Sequence, residues 1–184
     1  MTAADRPRNV TEPQRRLLLK GLVCWPVAAA AQPALPQVRS LALQHLHTDE
    51  RLAVTYFSDG SYLPQAIAEI ERVLRDFRTG ESHPIDVDLL DTLHTLVEFC
   101  GGGSVQVICG YRSPATNAQL QATTEGVAPN SLHMEGRAVD VRLRGCDTAR
   151  LRDAALALGR GGVGYYPQSD FIHLDTGRVR QWVS

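Results

Sequence analysis

The amino-acid sequence predicts one small α+β domain. Its 184 residues are 43% hydrophobic and 21% charged, which is typical of a single globular domain. Strand-like runs occur early and late in the chain, and segments with helical apolar spacing lie between them. The sequence contains no internal repeat and no low-complexity tract. We therefore expect a central antiparallel sheet flanked by helices.

The expected elements follow from apolar spacing and from turn and cap residues. Two strand-like runs, 41–48 and 52–57, are separated by Asp49-Glu50-Arg51 and so predict a hairpin. Ser113-Pro114 predicts a helix start, because serine is a favoured N-cap and proline suits the first helical position. The other expected elements are helices over 64–78, from 86 or 88 to 101 and over 148–158, and strands over 105–109, 138–143 and 171–175.

The first three dozen residues differ in composition from the rest and predict an export signal. Arg15-Arg16, three leucines and Lys20 resemble the twin-arginine export motif, and Lys20 is the only lysine in the chain. A weakly apolar stretch over 21–27 and small residues over 28–31 follow, as in a cleavable signal. An amphipathic or disordered arm is the alternative. We expect a signal segment over 1–31, a short linker over 32–38 and the folded domain over 39–184.

Charge and cysteine content limit the class of partner. After cleavage near residue 31, 14 basic and 18 acidic residues would remain, and the net charge of −4 argues against a nucleic-acid partner or an anionic membrane surface. Cys24 would leave with the signal. Cys100, Cys109 and Cys146 would remain, which allows one disulfide and a free thiol, or three buried thiols. The sequence does not select a pair.

Two histidines and one aspartate form a candidate metal site in the last third of the chain. His133 precedes Asp140 by seven residues, and strand alternation directs Asp140 away from the valines beside it. A buried carboxylate in that position needs a cation or hydrogen-bond donors. In the strand over 171–175, His173 faces away from its apolar neighbours in the same way. If the two strands are adjacent, these three side chains converge as an open zinc site with one position left for water.

Several motifs are more specific together than any one of them alone. They are Asp76-Phe77-Arg78-Thr79-Gly80-Glu81, Gly110-Tyr111-Arg112-Ser113-Pro114 with Asn117, Ser131-x-His133-x-x-Gly136-x-Ala138-x-Asp140, Gly161–Tyr166, and Phe171-x-His173-x-Asp175. From about Leu41 to Trp182 the chain resembles the zinc D-alanyl-D-alanine carboxypeptidase-like family, and within it the exported murein endopeptidase-like branch. The resemblance implies the small α+β fold shared with Hedgehog signalling domains, one zinc ion per chain, and hydrolysis of peptide bonds in peptidoglycan stems or cross-links.

The resemblance also implies roles for individual residues. The zinc ligands of the family match His133, Asp140 and His173. Arg112 matches the arginine that holds substrate or polarises its carbonyl, and an ion pair within the fold is the alternative. Asp170, three residues before the last ligand, matches the catalytic base. A solvated acid at the strand entry is the alternative for Asp170, and Glu135 is the second candidate for the base.

Asp175 and Ser131 are further candidates near the expected site. Asp175 is expected either to orient a ligand imidazole or to pair with Arg178 or Arg180, and Ser131 either to bind substrate or to cap its loop. We expect a periplasmic monomer that is exported by the twin-arginine machinery and acts on peptidoglycan peptides. A non-catalytic zinc-containing peptidoglycan-binding module and a carboxypeptidase that trims stem termini are the alternatives.

Overall fold

The computed structural model describes residues 37–124 and 127–184. The expected signal segment over 1–31 and most of the linker over 32–38 lie outside these residues. From Arg39 onward the described chain is α+β, with four α-helices and one mixed sheet. Within the same part of the chain, no helix is long and apolar enough to cross a membrane.

The described residues form one sheet of eight strands. The strands are β1 (Arg39–His45), β2 (Arg51–Ser58), β3 (Ser61–Tyr62), β4 (Val105–Cys109), β5 (Ala138–Leu143), β6 (Gly162–Tyr166), β7 (Phe171–Asp175) and β8 (Arg180–Val183). Their order across the sheet is β3-β2-β1-β4-β5-β7-β6-β8. The strands β5 and β7 therefore lie side by side near the middle of the sheet.

The sheet is mixed, which corrects the expectation of an antiparallel sheet. The strands β1 and β2 form the expected hairpin, but β1 and β4 are parallel. The chain between them contains β2, β3 and two helices, α1 (Pro64–Val73) and α2 (Val87–Phe99), and a crossover of this length lets the chain return in the same direction. The strands β6 and β8 form the second parallel pair, because β5 and β6 occupy both edges of β7 and leave β8 the free edge of β6.

The helices begin and end where local hydrogen bonds favour it. The remaining ones are α3 (Pro114–Thr123), α4 (Thr148–Leu158) and a short 3-10 helix (Leu132–Glu135). Ser113 caps α3 as expected, since its side chain accepts a hydrogen bond from the Thr116 N–H. Helix α1 ends five residues before the predicted residue 78. It ends there because the main chain of Asp76 bonds with residues 80 and 81 and closes a turn.

One apolar core lies between the helices and one face of the sheet. Alternate side chains of the central strands point into it, together with apolar side chains of α1, α2 and α4. The strand side chains that are at most 3% exposed include Val139, Val141, Ile172 and Leu174. Burial of each such side chain stabilises the fold by about 1.5–3 kcal/mol. Because side chains alternate along a strand, Asp140 and His173 are directed to the opposite face.

A disulfide joins the end of α2 to the turn before α4. It links Cys100 to Cys146 across 46 positions of sequence, whereas Cys109 is a free, buried thiol. The structure thus selects one of the two arrangements that the sequence left open, a single disulfide with one free thiol in the described domain.

Candidate metal centre

Asp140 and His173 meet because their strands are neighbours in register. In the antiparallel pair of β5 and β7, Asp140 lies directly opposite His173. Asp140 Oδ1 is 2.9 Å from His173 Nδ1. The core valines of β5 fix which face Asp140 occupies, so the register of the sheet brings these two candidate ligands together.

His133 reaches the same point from the short 3-10 helix that precedes β5. Ser131 caps this helix by accepting a hydrogen bond from the His133 N–H, and Gly136 ends it in the left-handed conformation. His133 Nε2 lies 3.2 Å from His173 Nδ1 and 3.3 Å from Asp140 Oδ1. The structure therefore brings all three predicted ligands together, and it places Ser131 in the capping role.

Each of the two imidazoles has one nitrogen that faces the point where His133, Asp140 and His173 meet. His133 Nδ1 is 2.7 Å from the carbonyl oxygen of Gly110, and His173 Nε2 is 3.0 Å from Asp175 Oδ2. Both partners are hydrogen-bond acceptors, so each of these nitrogens carries the proton. The opposite nitrogens, His133 Nε2 and His173 Nδ1, are then free to bind a metal ion. Outer hydrogen bonds of this kind fix the tautomer of metal-binding histidines.

A zinc ion fits the three donor atoms. Zinc bonds to nitrogen and oxygen of about 2.0–2.1 Å place tetrahedral ligand atoms about 3.3 Å apart, and the observed separations are 2.9–3.3 Å. Burial raises the pKa of Asp140, but the neighbouring imidazoles of His133 and His173, in their protonated form, outweigh burial and hold the pKa below its ordinary value. Asp140 is therefore ionised, as a metal ligand must be.

Asp175 orients His173 and pairs with an arginine at the same time. Its buried carboxylate accepts hydrogen bonds from His173, from the N–H groups of Gly162 and Gly177, and from both terminal nitrogens of Arg180. Burial raises the pKa of Asp175, but these donors outweigh burial and lower the pKa overall. The two roles that the sequence left open are therefore compatible.

Arg112 lies beside the three candidate ligands. Its side chain donates to Asn117 Oδ1 at 3.3 Å and to Cys109 Sγ at 3.7 Å, and its NH2 group is 3.8 Å from Asp140 Oδ2. Its Nε–H is buried and has no acceptor among the described residues. Arg112 thus carries a positive charge next to the site and keeps one donor without a protein partner.

The loop that carries Arg112 is anchored to a buried aspartate. Asp76 is 1% exposed, and its carboxylate accepts hydrogen bonds from the N–H groups of Ser113 and Arg78. Burial raises the pKa of Asp76, but donors from Thr116, Ser113 and Arg78 outweigh it and lower the pKa to about 2. The ionised carboxylate therefore holds the chain that directly follows Arg112 in place.

The three candidate ligands and Arg112 line a cleft of about 420 Å³. One wall is aromatic: Tyr166 stacks on Phe171 with ring centroids 4.4 Å apart, and Trp182 donates its N–H to the Tyr166 hydroxyl. Trp182 lies against the backbone of Gly164, where a Cβ atom would come within 2.5 Å of the indole ring. Only glycine allows this approach, so Gly164 permits the aromatic wall to form beside the ligands.

The structure does not bring Asp170 to the candidate ligands. Its side chain is 62% exposed and accepts hydrogen bonds from Arg142 and Thr148, with which it lines a separate hollow. It occupies the turn before β7, where its φ is positive at 53°. In this structure Asp170 does not lie beside the candidate ligands, and its role as catalytic base stays a prediction. The exposed carboxylate of Glu135, the second candidate, pairs with Arg137 at 3.1 Å.

Comparison with known proteins gives one family and several relatives. The matching family is described as peptidoglycan L,D-endopeptidase MepK, and the match covers residues 33–182. The chain belongs to this family. The peptidoglycan L,D-endopeptidase MepK of Escherichia coli (strain K12) is 39% identical over 175 residues, which are 92% of this chain and 96% of the relative. The probable peptidoglycan L,D-endopeptidase MepK of Haemophilus influenzae is 36% identical over 164 residues, 88% of each chain. No solved structure matches.

Family membership confirms the murein endopeptidase-like branch that the motifs predicted, but sequence reasoning missed partners of the site. Arg180 is not among them, because it was one of the two arginines expected to pair with Asp175, and it forms that pair. Asn117 belonged to a recognised motif, yet its link to Arg112 depends on how α3 packs. No sequence pattern predicts that the Gly110 carbonyl accepts a hydrogen bond from His133, because every residue has a main-chain carbonyl.

Proposed function

We propose that this chain is a zinc-dependent peptidase that hydrolyses L,D peptide bonds in peptidoglycan. The observation that carries the proposal is the convergence of His133, Asp140 and His173 at the floor of a cleft, with both imidazole lone pairs directed to one point. The relatives in Escherichia coli and Haemophilus influenzae are named as peptidoglycan L,D-endopeptidases, the second as probable. Family and donor set therefore support the same activity.

The roles of the side chains follow from their contacts. A zinc ion in this site would polarise the scissile carbonyl and lower the pKa of a bound water to about 7. The Gly110 carbonyl and Asp175 keep the imidazoles in the tautomer that binds metal. The Arg112 guanidinium lines the cleft beside Asp140, which supports a role as hydrogen-bond donor to a carbonyl or carboxylate oxygen of the peptide. The aromatic side chains exclude water from one side of the cleft.

The proposed activity is tested with defined peptidoglycan fragments. Muropeptide dimers with an L,D cross-link are incubated with zinc-loaded protein, and the products are separated by liquid chromatography and identified by mass spectrometry. We expect monomers from the L,D-linked dimer. Loss of only the terminal residue of a stem would instead indicate a carboxypeptidase, and binding of the dimer without cleavage would indicate a binding module.

The metal assignment is tested with single substitutions. Alanine at His133, Asp140 or His173 should each abolish stoichiometric zinc, as measured by atomic emission on purified protein. The matched control is His94→Ala, because His94 lies on α2 and its ring bonds to the Ser40 carbonyl. Retention of one tightly bound zinc by any two of the three ligand variants would refute the assignment.

We also propose that the chain is exported to the periplasm as a twin-arginine substrate and acts there as a monomer. Arg15-Arg16 and Lys20 support the route, and the disulfide supports an oxidising compartment. Replacement of both arginines by lysine should leave unprocessed precursor in the cytoplasm on immunoblots of cell fractions. Normal processing would rule out the twin-arginine route.

The α+β architecture and the family further support a fold shared with Hedgehog domains and D-alanyl-D-alanine peptidases.

A further inference from the structure

A fourth group with ligand chemistry lies at the candidate metal centre. Cys109 is the last residue of β4 and lies directly opposite Asp140 in the antiparallel pair of β4 and β5. Ligand atoms of Cys109, His133 and Asp140 all lie within 4.8 Å of one another. The thiol is buried, and the disulfide occupies the other two cysteines of the described domain. Cys109 is therefore a free thiol that shares the site with the predicted zinc ligands.

The surroundings of Cys109 suit a metal-bound thiolate. Arg112 NH2 lies 3.7 Å from Cys109 Sγ and provides a positive charge and a hydrogen-bond donor beside the sulfur. Thiolate donors prefer soft, thiophilic metal ions, whereas imidazole and carboxylate donors accept a wider range. The site thus has three nitrogen and oxygen donors and a nearby sulfur atom. A sulfur donor favours thiophilic metal ions over harder ones.

We propose that Cys109 is a fourth protein donor that closes the metal centre around thiophilic divalent ions, of which cadmium is the probe. When the metal–sulfur bond forms, the thiol releases its proton to solvent, and no electron transfer is involved. The open position needed for hydrolysis is then occupied by sulfur, so the cadmium form does not cleave peptide. The inference rests on the three-ligand site proposed above, and it adds a donor that this site does not require for zinc.

The test uses the full chain in a Cys24→Ser background, because Cys24 lies outside the described residues and is a further sulfur-containing side chain. Metal-free protein is titrated with cadmium while the ultraviolet thiolate-to-cadmium charge-transfer absorption and the heat of binding are recorded. We expect the absorption to saturate at one cadmium per chain. With Cys109→Ser, the absorption should disappear and the dissociation constant for cadmium should rise at least about tenfold, with a smaller change for zinc.

A second measurement uses the protein with its native Cys109, so its result does not depend on whether a variant folds. The ¹¹³Cd NMR shift of the cadmium complex reports directly whether sulfur is bound. A shift typical of nitrogen and oxygen donors alone, or a charge-transfer band that persists in a folded Cys109→Ala protein, would overturn the proposal. If zinc binds stoichiometrically and cadmium shows no sulfur bond, only the role of Cys109 fails. If neither ion binds at His133, Asp140 and His173, the proposed function fails as well.

Discussion

Replacement of Asp175 by asparagine tests whether an outer hydrogen bond prepares His173 for metal binding. In the native site, His173 Nε2–H donates to Asp175 Oδ2 at 3.0 Å, which leaves Nδ1 free. An asparagine side chain can present its NH2 group to Nε2. The ring proton would then move to Nδ1 and block the atom that faces Asp140 and His133. Asp175→Asn should therefore weaken zinc binding although it removes no metal ligand.

The expected magnitudes follow from the contacts of the carboxylate. Loss of a hydrogen bond to a metal-binding histidine typically weakens metal binding by about 10–100-fold. The carboxylate of Asp175 is fully buried and pairs with Arg180, whose side chain is 33% exposed. Separating a buried charge from its partner costs about 3–5 kcal/mol, and the partial exposure of Arg180 places the loss near the lower end. Zinc affinity is measured by competition with a chromophoric chelator, and stability by urea unfolding of the metal-free protein.

Two further variants separate the effect on the tautomer from the effect on stability. Arg180→Gln removes the charge pair but leaves Asp175 in contact with His173, so it should lower stability more than zinc affinity. Asp153→Asn removes an exposed carboxylate on α4 that pairs with Arg152 and should change neither quantity. An Asp175→Asn protein that binds zinc as tightly as the native protein would show that Asp175 does not set the His173 tautomer.

Four other predictions follow from the same structure. Arg112→Ala should keep zinc in metal analyses but lower kcat/KM on cross-linked muropeptides by about 10–100-fold, since it removes a charge-assisted hydrogen bond of about 1.5–3 kcal/mol. Asp170→Asn should lower kcat less than about tenfold in the same assay; a loss of about 10²–10⁴ would restore its role as general base. Reduction of the Cys100–Cys146 disulfide should lower the urea-derived unfolding free energy by about 4 kcal/mol, because it opens a loop of 46 positions. Asp76 has a folded pKa of about 2, below its ordinary 3.8, so it stabilises the fold above about pH 4 by about 2 kcal/mol. That stability is lost as the pH falls toward 2, and the difference in unfolding free energy between native protein and Asp76→Asn should shrink over this range.

The sequence predicted the elements better than their arrangement. Helical spacing and cap residues are local signals, and α2, α3 and α4 lie where those signals placed them. The parallel pairing of β1 with β4 depends on how the chain packs over a long crossover, and no local pattern records it. The strand β8 was missed for a similar reason. Its four residues alternate only weakly, and their partner β6 is rich in glycine.

The candidate ligands were predictable because their side chains must avoid the apolar core. Asp140 and His173 alternate with residues that pack under the helices, so their face is set by the sequence itself. Asp170 had no such constraint. It lies in a turn outside the ladder, where a positive φ and contacts with Arg142 and Thr148 decide its direction. Alternation along a strand therefore predicts where Asp140 and His173 lie, whereas spacing alone does not predict the direction of a side chain in the turn before a strand.

Register is the property that makes the site sensitive to distant packing. Asp140 faces His173 only because Val139 and Val141 lie under the helices in line with Leu174 and Ile172. A slip of one residue between β5 and β7 would turn Asp140 into the core and a valine toward the cleft, with the cost of a buried unpaired charge. The apolar residues of these strands thus position the ligands as firmly as the ligands' own hydrogen bonds do. Substitutions that loosen the core beneath β5 should consequently weaken zinc binding without touching any group in the cleft.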